Sequence, residues 1–438
     1  MLLTALVSVL ALEGALAQPK KLFDRSLPAT STGSSVAGST IVSSAALSTG
    51  AASAVASGTA NASAAASSSS STGNSTAASR YVAYWTAYAN LGTVPSADQL
   101  KGVTHVVLAA VDMSTADFTG FYQSSNGNFD SSTVGALKAN APGVKVMAAF
   151  GGWGVDDGFR TAAQAANIAT FVSSCVSFVQ EWGLDGVDLD WEYPGGNGEN
   201  YKVPKGQPDY HPNDPTDLEN YINLLSALRT AFDQYGYILS ATLPSRPADI
   251  DIGYPADKLQ LMDPSVDFWN LMSYDHLNRR DNVTDFQAGG ESRGIALSKI
   301  NIGFPMYTKY FQLAPGACTE SNPIGCPMTI ALENSVGGDT GNSGSLTFNS
   351  ALNTNASEQA IWNTVSAASG TDNTTALGSV YYDSTSAQFW TWVSPSDIQQ
   401  TCMKWKGQVG GMMMWSLNQD TNGGSGGPHI QAIADCLA

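Results

Sequence analysis

Eight short apolar runs recur along the chain and constrain its fold more than any other feature. They are Tyr81–Trp85, Thr104–Ala110, Val144–Phe150, Gly186–Glu192, Ile238–Leu243, Phe268–Ser273, Ile300–Phe304 and Gly410–Trp415. Each has the length of a buried strand, and helical patterns lie between several of them. Thr216-Asp217-Leu218-Glu219 reads as a capping box that opens a helix whose Leu218, Tyr221, Leu225, Leu228 and Phe232 share one face. Ser396-Asp397-Ile398-Gln399 is expected to open another in the same way. Eight strands alternating with helices predict an α/β fold, the (β/α)8 TIM barrel, whose site lies at the C-terminal ends of its strands. The chain between Phe304 and Gly410 is far longer than one helix needs, so a small α+β insertion subdomain is expected at residues 311–380, between the seventh and eighth strands.

The fourth run carries the chemistry. Asp188, Asp190 and Glu192 alternate with Val187, Leu189 and Trp191, which are strand formers, so the three acids are expected on one face. At a rise of about 3.3 Å per residue, neighbours on that face stand roughly 6 to 7 Å apart. Charges this close do not all ionise freely, and repulsion with burial should keep one carboxyl protonated near neutral pH, as a general acid requires. A solvated acidic edge or a calcium loop would not alternate its acids with Val, Leu and Trp, nor end at Pro194. Trp191 and Asp185 have the opposite parity, so Trp191 is expected in the core and Asp185 in a structural role.

Residues 1–17 read as a secretory signal: Leu2–Leu12 is apolar but too short to span a bilayer, and Ala15-Leu16-Ala17 supplies a small-x-small cleavage pattern. Residues 18–79 are dominated by Ser, Ala and Thr and cannot bury enough surface to fold, so they are expected to form a glycosylated linker. Sequons begin at Asn61, Asn74, Asn282, Asn355 and Asn373. Residues 80–438 are expected to form the folded, catalytic unit. No later segment is apolar enough for a membrane span or a lipid-anchor signal, and the chain is expected to be secreted and extracellular, with cell-wall association open. The formal net charge of −17 argues against nucleic acid and anionic membrane as partners. Of five cysteines, Cys175 is the expected unpaired one, because Ile168, Phe171, Val172, Val176, Val179 and Trp182 share its helical face. We favour Cys318 with Cys326 and Cys402 with Cys436, although other pairings remain open. No spacing suggests a metal, no cofactor is expected, and His105, His211, His276 and His429 read as structural or surface residues.

The segment Asp185–Pro194 resembles the DxxDxDxE signature of the glycoside hydrolase family 18 chitinases. Phe150-Gly151-Gly152-Trp153, Met272-Ser273-Tyr274-Asp275, Gly303-Phe304-Pro305-Met306-Tyr307 and Gly410–Trp415 resemble that family's motifs on strands three, six, seven and eight. The resemblance implies a monomer that hydrolyses β-1,4 links of chitin and chito-oligosaccharides with retention, through the substrate's own 2-acetamido group and an oxazolinium intermediate. Glu192 would be the acid and base, Asp190 would orient the acetamido group, Asp188 would share a proton with Asp190, and Tyr274 would donate to the acetamido oxygen. Asp275 would contact the sugar or the acids. Trp415, Trp153 and Tyr84 are expected as sugar-facing walls, with Gly151, Gly152, Met272 and Tyr307 beside them. The family usually has a serine where Ala149 stands, which bears on how Asp188 is supported. An endo-β-N-acetylglucosaminidase acting on N-glycans and a chitin-binding lectin are the rival readings.

A chain beginning at Ser79 is therefore expected to unfold at the same temperature as the full chain and to act alike on soluble substrate. Circular dichroism melting of the two checks this, and a lost or lowered transition would place the tract inside the fold.

Overall fold

The computed structural model describes residues 79–86, 94–112, 122–123, 129–154, 157–196, 198, 201–203, 214–284, 293–368, 371–373, 378–420 and 426–438. The expected leader, nearly all of the linker, the sequons at Asn61 and Asn74, and His211 lie outside these residues.

Strands β1 (Arg80–Thr86), β2 (His105–Asp112), β4 (Lys145–Gly151), β5 (Gly186–Asp190), β6 (Ile238–Pro244), β7 (Phe268–Met272), β8 (Ile300–Pro305) and β14 (Gly411–Trp415) run parallel. They are hydrogen-bonded in the order β1-β14-β8-β7-β6-β5-β4-β2, and a further β1–β2 pairing closes the ring. Each of the eight apolar runs supplies one strand of this (β/α)8 barrel. The short β3 (Tyr122–Gln123) adds antiparallel to the end of β2. Inward side chains of the strands and the apolar faces of the helices form one continuous core, which includes Cys175 on α3 (Ile168–Trp182).

Two helix starts differ from the sequence pattern. In α4 (Thr216–Phe232) the Thr216 hydroxyl and backbone N–H both donate to Asp214, and Asp217 is drawn to Arg160, so no Thr216 capping box forms. In α8 (Pro395–Trp405) the cap is Ser394, paired reciprocally with Asp397, and not Ser396. Pro395 has no N–H to lose and a fixed φ, which places it at the first helical position and makes its predecessor the cap.

The insertion is a five-stranded antiparallel sheet in the order β10-β9-β13-β12-β11. Its strands are β9 (Tyr307–Gln312), β10 (Ser343–Thr347), β11 (Thr371–Asn373), β12 (Gly378–Asp383) and β13 (Gln388–Trp392). It therefore reaches past both ends of the expected 311–380, because β9 pairs with β13 through Tyr310 and Trp390 and neither strand can be left out. Helix α7 (Ala356–Ala367) packs Trp362 and Val365 on one face of this sheet. Cys318 is bonded to Cys326 within the insertion, and Cys402 on α8 is bonded to Cys436 on α9 (Pro428–Leu437). Among the described residues no helix is long and apolar enough to cross a membrane.

Gly186 opens the acid strand where it lies against β6. A Cβ there would stand 2.0 Å from the Ile238 carbonyl oxygen and 2.7 Å from its carbon, so Gly186→Ala forces β5 and β6 apart. We expect a loss of about 2–3 kcal/mol in urea unfolding, the range of overpacked cores. An unchanged midpoint would show that the strands can part without cost.

Candidate active site

Asp188 and Asp190 both project into the barrel from β5 and are buried, at 0% and 5% exposure. The strand ends at Asp190, so Trp191 and Glu192 lie beyond it, where alternation in the sequence had carried the strand on. The reason is pairing: the β4 ladder reaches only Asp190 and the β6 ladder only Leu189. Other contacts fix the segment that follows. Trp191 stacks on Phe159 of α2 (Asp157–Ala162) at 5.3 Å between centroids, as the expected core residue, and its carbonyl accepts from Tyr254. Asp217, held by Arg160 at 2.6 Å, accepts from the Gly195 N–H at 3.2 Å. Glu192 is thus placed by a braced turn, half-buried, with the Tyr193 hydroxyl donating to its carboxylate. Asp185 ion-pairs with Lys138 and Lys145 and caps the Val146 N–H, a structural role.

Asp188 accepts from three strands: Tyr84 Oη of β1 at 2.7 Å, Ser240 Oγ of β6 at 2.5 Å and Asn270 Nδ2 of β7 at 3.1 Å. Burial raises its proton affinity, and these donors oppose that rise. Asp190 is pushed up to about 7, first by burial and then by the charge of Asp188, with the Thr242 hydroxyl at 2.6 Å pulling the other way. The charge of Asp188 raises Asp190, so the two titrate as a pair and burial favours keeping a proton between them. Tyr274, just past β7, is pushed well above the ordinary tyrosine value by burial and by Asp190 and Glu192, and so stands beside them as a neutral donor. Gly303 makes its room, since a Cβ there would lie 2.9 Å from the Tyr274 ring.

The remaining expected residues divide. Trp415 ends β14 partly exposed, 5.5 Å from the Tyr84 ring, and Trp153 is 40% exposed with Arg280 over its face at 5.2 Å. Tyr84, expected as a wall, is only 1% exposed and lies beneath the site, because its inward position on β1 faces Asp188. Gly151 and Gly152 both meet the backbone of the acid strand. Gly152 N–H donates to the Asp190 carbonyl at 2.7 Å, and a Cβ on Gly151 would strike that same oxygen at 2.5 Å. Met272 is buried at the end of β7. Tyr307 donates to Asp275 at 2.9 Å and Lys309 pairs with it at 3.1 Å, so the exposed Asp275 carboxylate is engaged by the insertion's first strand.

The sequence pattern did not single out Ser240, Thr242, Asn270 and Asn301. Their signal is polarity inside an apolar run: Ser240 and Thr242 alternate with Leu239, Ala241 and Leu243, and Asn301 sits between Ile300 and Ile302. In register, Asp188 has Ala149 on its β4 side and Ser240 on its β6 side, so the hydroxyl absent from one neighbour is supplied by the other.

The model of the family described as Glycosyl hydrolases family 18 matches residues 80–420. The chain is 30% identical over 258 residues to Chitotriosidase-1 of Mus musculus, covering 52% of this chain and 51% of that protein. It is 27% identical over 325 residues to Endochitinase 1 of Metarhizium robertsii, covering 66% and 64%. The matches span about half the length of the mouse protein and 47% of Chitinase 1 of Aphanocladium album. Among solved structures, a GH18 chitinase from Cycas revoluta in complex with (GlcNAc)3 shares the fold at 20% identity and TM-score 0.61, over 82% of this chain and 100% of that one. A chitinase from Trichuris suis does so at 19% identity and TM-score 0.62, over 82% and 100%.

A carboxyl whose affinity for a proton is higher folded than unfolded costs stability once pH exceeds its unfolded value. For Asp190 the native state binds the extra proton between about pH 4 and 7, so stability should fall as pH rises through that window and level off above it. Asp190→Asn, which is uncharged throughout, should flatten this slope and melt higher than wild type at pH 8. Parallel melting curves for the two from pH 4 to 8 would refute the burial of a shared proton.

Proposed function

This chain belongs to glycosyl hydrolases family 18, and on that premise we propose that it hydrolyses β-1,4 links between N-acetylglucosamine units of chitin and chito-oligosaccharides. The observation that carries the reading is the buried pair of Asp188 and Asp190, ringed by donors from Tyr84, Ser240, Asn270 and Thr242, with Glu192 and Tyr274 beside it. Such a set has a proton to give and a polarised donor, and Asp188 is spent on hydrogen bonds from three strands and is not free to attack a sugar.

Glu192 protonates the glycosidic oxygen as the bond to the anomeric carbon breaks. The 2-acetamido oxygen of the sugar on the non-reducing side attacks that carbon from the opposite face and closes an oxazolinium ring. Asp190 accepts from the acetamido N–H through the carbonyl oxygen of its carboxyl group, and the single negative charge of the Asp188–Asp190 pair balances the positive charge, while Tyr274 donates to the acetamido oxygen and holds it within reach of the carbon. Glu192, now a carboxylate, takes a proton from water, which opens the ring with net retention. Trp415 and Trp153 offer indole faces to the apolar C–H faces of pyranoses along the cleft. The two cystines and the Ser/Ala-rich composition of residues 18–79 support an extracellular site of action.

Glu192→Gln keeps the shape and removes the proton. Turnover of chito-oligosaccharides should fall by at least about 100-fold while oligosaccharide binding by calorimetry persists. Retention of more than about a tenth of the rate would remove Glu192 from the chemistry. Fully deacetylated chitosan and cellulose should be left intact by the wild type, and a non-hydrolysable thiazoline should inhibit it strongly. Cleavage of N-glycan cores in place of chito-oligosaccharides, or binding without any cleavage, would transfer the site to one of the rival readings.

A further inference from the structure

A file of buried polar side chains runs away from the acid pair toward the opposite, N-terminal end of the barrel. Arg80 Nε donates to Asn301 Oδ1 at 2.9 Å, and Asn301 Nδ2 donates to Asn270 Oδ1 at 2.9 Å. Asn270 Nδ2 donates both to Asp188 Oδ1 at 3.1 Å and to Tyr84 Oη at 2.9 Å. Both asparagines are fully buried. Arg80, Gly411, Asn301 and Asn270 are successive register partners across β1, β14, β8 and β7, so the file is one layer of the barrel interior. The glycines of the eighth strand leave space for it. A Cβ on Gly410 would stand 1.8 Å from Arg80 Nη2, and one on Gly411 would stand 2.1 Å from the Arg80 carbonyl oxygen.

An asparagine amide can turn either end forward, but a guanidinium only donates. Arg80 therefore compels Asn301 to present its oxygen, which turns the Asn301 N–H toward Asn270 and the Asn270 N–H toward Asp188. Tyr84, having accepted from Asn270, has its single proton left for Asp188 Oδ2. Of the three donors on Asp188, only Ser240 could reverse its role. We propose that Arg80 and Asn301, through Asn270, are positioning residues that hold Asp188 as the ionised member of the acid pair and so assign the shared proton to Asp190. The inference rests on the chitinase reading above.

The groups facing Asp188 can be named from every side. Asp190 comes from its own strand, Tyr84 from β1 and Tyr274 from the end of β7, while Tyr221 of α4 and Tyr254 at the end of α5 (Pro247–Gly253) pack behind Trp191 and feel the Asp188 charge only at a distance. All four tyrosines are held neutral by burial, β4 contributes the uncharged Ala149, and β6 contributes Ser240. Around Arg80, His105 is pushed down to about 4 by burial and by Arg80, and Asp267 is the nearby counter-charge. The relay thus supplies directed N–H and O–H groups that no other neighbour replaces.

A hydrogen bond to an ionised group favours that form, so losing it raises the proton affinity of Asp188 and moves the first proton loss of the pair to higher pH. Asn301→Leu should therefore shift the acid limb of kcat against pH, measured with soluble chito-oligosaccharide, upward by about one pH unit with little change in KM. Arg80→Gln, whose amide can present either end, should shift it in the same direction. Arg80→Lys, again a pure donor, should restore the limb relative to Arg80→Gln. Arg80 lies partly exposed at the barrel rim, so this second pair decides the matter if Asn301→Leu does not fold. Limbs that coincide with wild type while melting temperatures drop would overturn the relay and leave a purely structural network. Carboxyl carbon-13 shifts of labelled aspartate, titrated over the same range, read the same ordering without turnover. Absence of turnover by the wild type would sink the chitinase reading, whereas unshifted carboxyl titrations in the variants would sink the relay.

Discussion

Two carboxyls in the dry centre of a barrel are the constraint from which the rest of this structure follows. Desolvation favours the neutral form of both and pushes Asp190 up to about 7. The fold answers with donors drawn from strands far apart in sequence: Tyr84, Ser240, Thr242 and Asn270 all converge on one short strand. None of these donors could be delivered by β5 itself. Barrel closure is what brings them together, and for that reason the β1–β2 pairing matters to the chemistry as well as to the fold.

The half-buried glutamate presents the opposite problem. As the proposed acid it must stay open yet be aimed, and the structure holds it from behind. Phe159 and Tyr221 lock the Trp191 ring, Tyr254 holds the Trp191 carbonyl, and the Arg160–Asp217 pair catches the chain again at Gly195. A buried ion pair adds little net stability by itself, but removing one partner leaves a costly charge, so such a pair is well suited to fixing a turn in one place.

Strand-scale features were legible in the sequence because burial on both faces leaves an uninterrupted apolar run, and each of the eight runs became a barrel strand. The acids were legible for the same reason, as polar residues at a regular interval inside such a run. What escaped was decided by pairing partners that no local window contains. The strand stops at Asp190 because its ladders stop there, Ser394 displaces Ser396 because of Pro395, and the insertion starts at Tyr307 because β9 needs β13. Tyr84 could be read from its position as lying near the acids, but whether it stood over them or under them depended on which face of β1 closes the barrel. Ser240 and Asn301 were in plain sight as lone polar residues in apolar strands, and only register ties them to Asp188.

Cys175 lies fully inside the core on α3, and burial pushes its thiol well above the ordinary value. Thiol–disulfide exchange is carried by thiolate, so a sulfur that neither ionises nor meets solvent drops out of that chemistry. The odd cysteine is therefore a hazard only to a chain still being oxidised, when it can capture any of the four partners. Docking of one amphipathic helix takes that thiol out of the competition.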